Sequence, residues 1–205
     1  MRLTTTLDAA IGRLLKTLEE RGLDKNTIVV FTSDYGGERF SKTWPFTGQK
    51  TELLESGLRI PAIIRWPAKI KPAQVTSQVA ISMDWLPTLD AAYKPDGENL
   101  LPVILGTVKP QQRTLFWRYK ANQQRAVRSG DWKYLKIADN EFLFDVVADQ
   151  RERANLAEKN PDIFKKLKQQ WESWNASMLP ITDDVKTHAV NGKVQADRYR
   201  ALIED

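Results

Sequence analysis

Residues 27–67 read TIVVFTSDYGGERFSKTWPFTGQKTELLESGLRIPAIIRWP, and the rest of the chain is organised around this stretch. Thr27, Ile28, Val29, Val30, Phe31 and Thr32 form an apolar run without alternation, the pattern of a strand covered on both faces in a parallel sheet. Ser33, Asp34, Tyr35, Gly36 and Gly37 then break the run. Ligands of open α/β sheets sit just beyond the carboxyl ends of the strands, so Asp34 stands where chemistry is usually placed. A plain turn, with the acid bonded to its own backbone, is the competing reading. The loop that follows is polar and aromatic, anchored by Trp44, Pro45 and Phe46, and reaches Lys50 after Gly48. Long ordered connections tend to be functional. Pro61 to Trp66 predicts a second core strand, ended by Pro67.

Upstream, Leu3, Leu7, Ala10, Ile11, Leu14, Leu15 and Leu18 recur at helical spacing, opposite Arg13, Lys16, Glu19 and Glu20, with Gly22 as a stop. Downstream, residues 75–81 predict a short extended segment, and Met83 to Leu89 a helix start that tolerates Pro87 in its first turn. Pro95, Gly97, Pro102, Gly106 and Pro110 mark residues 93–110 as a crossing linker. Beyond it, residues 113–119, 124–128, 132–137 and 141–145 predict an antiparallel sheet, with turns at Ser129, Gly130 and Asp131 and at Asp139 and Asn140. Ile163, Phe164, Leu167, Trp171, Trp174 and Met178 lie on one helical face suited to covering that sheet. The polar tail after Pro180 is expected to be loosely ordered or laid over the surface. The predicted organisation is thus a core portion over 1–110, a sheet-plus-helix subdomain over 111–180 and a tail over 181–205.

The 205 residues, 41% of them hydrophobic, can bury a core. The absence of cysteine excludes disulfides, thiolate metal sites and a cysteine nucleophile. The net charge of +5 is spread among interleaved acids, which argues against a nucleic-acid partner. No apolar run approaches the ~20 residues of a membrane span, and the first residues lack the apolar core of a signal peptide. The chain as written reads as soluble.

Taken in order, the string TSDYGG, then Gly48-Gln49-Lys50, then ESGLRIP from Glu55, then Trp66-Pro67, resembles the second half of the sulfatase family, whose pattern there is roughly TSDNG, GxK, EGGxRxP, WP. The likeness runs from the first helix to about Leu179. It implies an α/β fold: part of a sulfatase-like, alkaline-phosphatase-like sandwich core, followed by a small antiparallel sheet plus helix. The complete form would hydrolyse sulfate esters of small molecules or glycans, using a hydrated formylglycine nucleophile and a calcium ion. Asp34 matches an acidic calcium ligand, and Lys50 matches the lysine that contacts the sulfate ester. Tyr35 stands where sulfatases place an asparagine ligand and where phosphodiesterase or phosphonate hydrolase relatives place a histidine. A phenol is a poor neutral ligand for calcium, so metal binding by this chain is expected to be weak or absent.

The formylglycine motif, CxPSR or SxPSR, does not occur in these residues. The chain alone is therefore expected to be inactive, either as the C-terminal portion of a sulfatase or as a non-catalytic domain acting through association. A central strand without neighbours would recruit another copy or a complementing N-terminal half. Family members are commonly periplasmic or secreted. Glu55, Ser56, Gly57 and Arg59 are expected to be structural, with Arg59 paired to Glu55 or another carboxylate. Arg39 reads as solvated. Trp117, Trp132, Trp171 and Trp174 read as core rather than as sugar platforms, and His188, the single histidine, reads as exposed.

Overall fold

The computed structural model describes residues 2–38, 41–90 and 96–187. Arg39 and His188 lie outside the described residues, as do positions 188–205 of the tail. The chain packs into two compact units, one of Met1–Thr32 with Ala62–Gln111, the other of Ser33–Pro61 with the chain from Gln112 onward.

In the first unit, α1 (Arg2–Glu20) is the predicted amphipathic helix. Gly22, at φ 64°, supplies the left-handed residue that closes it, with the Leu23 amide bonded back to the Leu18 carbonyl at 2.9 Å. The strands β1 (Val29–Thr32) and β2 (Ala62–Arg65) pair with each other, and they do so antiparallel, Val29 opposite Arg65 and Thr32 opposite Ala62. Among the described residues β2 is the neighbour β1 has, and it is antiparallel; an unbroken apolar run reports burial on two faces and carries no information about strand direction. Even that burial is incomplete within the described residues, since Phe31 is 42% and Ile63 is 60% exposed. The end of β2 is tied to the turn before β1, where Arg65 donates to the Asp24 carbonyl and Trp66 Nε1 to Asn26 Oδ1.

No strand forms over 75–81. A short 3-10 turn (Ser82–Asp84) leads instead into α3 (Trp85–Leu89). Buried Asp84 accepts from the Ile81 and Glu98 amides, and Thr88 Oγ1 accepts from the Leu100 amide, so the acid and the threonine of this helix start pin the following loop. The predicted linker contains a helical turn of its own, α4 (Leu101–Ile104), which begins where Pro102 can sit without losing a hydrogen bond.

In the second unit a single turn, α2 (Glu55–Leu58), precedes the four-stranded sheet. Strands β3 (Thr114–Tyr119), β4 (Gln124–Ser129), β5 (Trp132–Ile137) and β6 (Asn140–Asp145) form an antiparallel meander, as the pattern predicts. The second turn is one residue earlier than expected: Ala138 takes φ 49° and Asn140 is already paired with Ile137. Alternation divides the sheet into two faces. Ala126, Leu135, Ile137, Phe142 and Phe144 pack with Leu53 and Leu54, while Val127, Tyr134 and Leu143 pack under α5 (Pro161–Ala176) through Leu167 and Trp171.

Candidate functional site

Asp34 and Lys50, sixteen positions apart, meet: Lys50 Nζ lies 3.5 Å from Asp34 Oδ2 and 5.2 Å from the centre of the Tyr35 ring. Their side chains are 36% (Lys50) and 74% (Asp34) exposed. A pair this open contributes about 0–1 kcal/mol, so stability does not account for the arrangement, and both groups remain open to a third partner. Tyr35 turns its ring to the ammonium, a cation–π contact that gives the residue a role other than metal ligation.

Glycine chemistry brings the two loops together. The Gly36 amide donates to the Gly57 carbonyl at 3.2 Å and the Lys50 amide to the Gly37 carbonyl at 2.9 Å. A Cβ on Gly36 would overlap the Ser56 carbonyl oxygen, and one on Gly57 would overlap the Glu52 carbonyl oxygen, so backbone lies directly against backbone at both positions. Ser56, which stands in place of the family's glycine, is accommodated buried, its amide on the Thr47 carbonyl at 2.9 Å.

Immediately after Lys50 the backbone is strained. Thr51 adopts φ 76°, unfavourable for a β-branched residue, and its buried hydroxyl has no hydrogen-bond partner among the described residues. Buried Gln124 on β4 holds that conformation, donating to the Thr51 carbonyl at 2.9 Å and accepting from the Leu53 amide at 2.9 Å. The Glu52 carboxylate closes the turn by accepting from the Gln49 amide. The sheet thus fixes the lysine.

Beneath α2 lies an ion network. Lys133, fully buried on β5, is 3.1 Å from Glu55 Oε1 and 2.9 Å from Glu152 Oε1. Glu55 Oε2 also faces Arg128 at 3.8 Å and Arg59 at 4.0 Å, which realises the expected Arg59 pairing, and Glu152 Oε2 accepts from the Glu55 amide at 2.6 Å. Burial works against the charge on Glu55, but Lys133, Arg128 and Arg59 together hold its carboxyl below the ordinary range. Burial pushes Glu152 up, and the neighbouring Glu55 adds to that against the pull of Lys133. Lys133 is raised, because the two carboxylates outweigh its desolvation.

Sequence reasoning placed Lys133 and Gln124 in strands but missed what each holds, the Glu55 and Glu152 carboxylates for Lys133 and the Thr51 turn for Gln124. The available signal was alternation: Lys133, Leu135 and Ile137 share one face of β5, so a lysine sits at a core position. Nothing local marks Glu152. The tryptophans are structural: Trp171 is buried with its Nε1 donating to the Trp117 carbonyl, and Trp174 stacks on Phe116 at 5.2 Å.

Calcium takes about six to eight oxygen ligands. Among the described residues no group of three or more Asp, Glu, His or Cys side chains is arranged to hold a metal ion, and Asp34 offers a single carboxylate already facing an ammonium. Among the described residues, also, no helix is long and apolar enough to cross a membrane.

Helices, an antiparallel strand pair and a four-stranded antiparallel sheet make up an α/β protein in which Asp34 and Lys50 meet on a loop braced by that four-stranded sheet. The sulfatase family model matches residues 1–92. The chain is 31% identical over 206 residues to an N-acetylgalactosamine-6-O-sulfatase of Bacteroides thetaiotaomicron, covering 82% of this chain and 40% of that protein. It is 33% identical over 218 residues to arylsulfatase A of Bos taurus, covering 97% of this chain and 42% of that protein. A protein solved in complex with its substrate, D-glucosamine-2-N,6-O-disulfate, superposes with a TM-score of 0.66 at 28% identity, over 84% of this chain and 39% of that one. The chain belongs to the sulfatase family, as a partial, C-terminal-type region that spans 40% and 42% of the length of the two curated relatives.

Proposed function

We propose that the chain supplies one wall of a sulfate-ester hydrolysing site, with Lys50 as the sulfate-contacting cation. The Lys50–Asp34 approach at 3.5 Å carries this reading, because it holds an ammonium that stays open to solvent. Charge builds on the departing ester oxygen and on the sulfuryl oxygens during such a reaction, and a preorganised ammonium stabilises it without reorganisation. Asp34 and the Tyr35 ring keep that ammonium in place when no sulfate is bound. In the family's complete site Asp34 would be one oxygen ligand of calcium. The relative whose substrate is D-glucosamine-2-N,6-O-disulfate supports a sulfated sugar as the substrate class.

Residue-resolved NMR of the chain tests this. Millimolar sulfate is expected to shift residues 34–37 and 48–51, and Lys50→Gln to abolish the shifts; unmoved signals there would sink the assignment. With a chromogenic aryl sulfate and calcium, the chain by itself is expected to give no turnover, since the formylglycine motif is absent from its residues. Turnover above the blank that persists through repurification would overturn the inactivity.

The first unit leaves Leu7, Leu14, Phe31, Ile63, Leu86 and Leu89 exposed. Apolar surface of this kind is covered in solution by association. Self-association, or capture of a complementing N-terminal sulfatase half, is the expected state. Sedimentation that shows a monomer at all concentrations, with a cooperative melt, would count against it.

A further inference from the structure

The four-stranded sheet contains three pairs of cations placed directly opposite each other across neighbouring strands, Arg128 with Lys133, Arg118 with Arg125 and Arg125 with Lys136. Like charges so placed repel. At the first pair a carboxylate answers the repulsion, because Glu55 faces both cations. The second pair has no such answer. Arg118 donates to Asn175 Oδ1 at 3.1 Å and to the Leu179 carbonyl at 2.7 Å, and Arg125 lies with its Cζ 4.7 Å from the Trp171 ring centre. Lys120, just past the strand, gives its ammonium to the carbonyls of Thr182, Asp183 and Val185.

These partners are neutral: they satisfy donors without cancelling charge. Lys136 extends the row beyond Arg125, and the first acid along it, Glu141, is already bound by Lys168 at 2.9 Å and by the Tyr134 hydroxyl at 2.8 Å. Among the described residues no carboxylate forms an ion pair with Arg118, Lys120 or Arg125. All three line one open cleft of about 480 Å³ with Gln123, Trp171 and Asn175, and no acid lines it. Along β4, Arg125 turns to Trp171 on α5, while the next residue back, Gln124, also lines the cleft but spends its side-chain amide on the Thr51 carbonyl, so the cations of the cleft point away from the Lys50 loop.

We propose that this cleft binds an anionic substituent, a sulfate ester or carboxylate carried on a saccharide, at a subsite separate from Lys50 and Asp34. The anion is argued from the cleft itself; that it is carried on a saccharide rests on the sulfatase reading. Arg125 is the central contact, since a guanidinium braced on an indole keeps in-plane donors for an oxyanion.

The test is an NMR titration of the full 205-residue chain with a sulfated disaccharide, its desulfated counterpart and inorganic sulfate. The sulfated disaccharide is expected to shift residues 118–125 and the Trp171 indole, and the desulfated one to leave them unmoved. Arg125→Gln should weaken binding at 118–125 about tenfold or more, as loss of a charged hydrogen bond does, while Lys16→Gln, at an exposed lysine of α1, leaves it unchanged. If Arg125→Gln lowers the melting temperature, Arg125→Lys, which keeps the charge and loses the planar fork, should still weaken binding. Shifts at 118–125 without shifts at 34–51 would uphold the subsite while the Lys50 assignment fails. Equal affinity for inorganic sulfate and the disaccharide would overturn the saccharide, and binding unaffected by both Arg125 variants would overturn the subsite.

Discussion

Lys133→Met is expected to destabilise the chain by about 3–5 kcal/mol, the range for removing one partner of a buried ion pair. For a chain of this size that lowers the melting temperature by on the order of 10 °C. The side-chain volume is nearly kept, so the loss comes from charge: Glu55 and Glu152 would be left buried without their shared cation. The pH dependence identifies the cause. In the wild type, Glu55 titrates below its ordinary value of 4.5, so its contribution is present above that value and is lost as pH falls. In the variant Glu152, already raised by burial and by Glu55, loses the opposing pull of Lys133 and titrates higher still, so the protein is relatively stabilised below that range and loses stability as pH rises through it. The deficit should therefore be larger at pH 8 than at pH 5. Melting curves at the two pH values check this, and an equal deficit at both would show that packing, not charge, is what Lys133 supplies. Adding Glu152→Gln to Lys133→Met should recover part of the loss.

Gly57→Ala and Gly36→Ala have the second large effect, about 3 kcal/mol each, the upper end for overpacking. The new methyl meets backbone in both cases, the Glu52 carbonyl or the Ser56 carbonyl, and backbone cannot swing aside as a side-chain tip can. The two loops must then part, and with them Asp34 and Lys50. Hydrogen exchange of the Gly36 and Lys50 amides reads this directly, because each is bonded across the junction; protection equal to wild type would refute the account. Gly12→Ala is the control, a position inside α1 where a Cβ meets nothing within 4 Å. It should stabilise by about 0.5–1 kcal/mol.

The meander β3 to β6 and its covering helix are legible in the sequence because each signal is local. Alternation over six residues, a turn glycine at Gly130 and a helical stripe from Ile163 to Trp174 leave few other ways to bury those side chains. The first helix is legible for the same reason. The pairing of β1 is not, because direction and partner are properties of two strands, and Ala62 to Arg65 lies thirty residues from its mate. The helical turn at Leu101–Ile104, inside the expected linker, shows the same limit where no strong periodicity exists.

By itself the sequence determined that an acid follows an apolar strand, that a lysine follows a glycine, and that their surroundings match one family's pattern; residue type and order suffice for that. Only the tertiary structure decided that Asp34 and Lys50 face each other, that Thr51 is held strained by Gln124, that Lys133 is neutralised by Glu55 and Glu152, and that Arg118 and Arg125 oppose each other without an acid between them. The reason is physical: a charge acts through distance and burial, and Lys133 with Glu55, 78 positions apart, reveal neither until the chain has closed on itself.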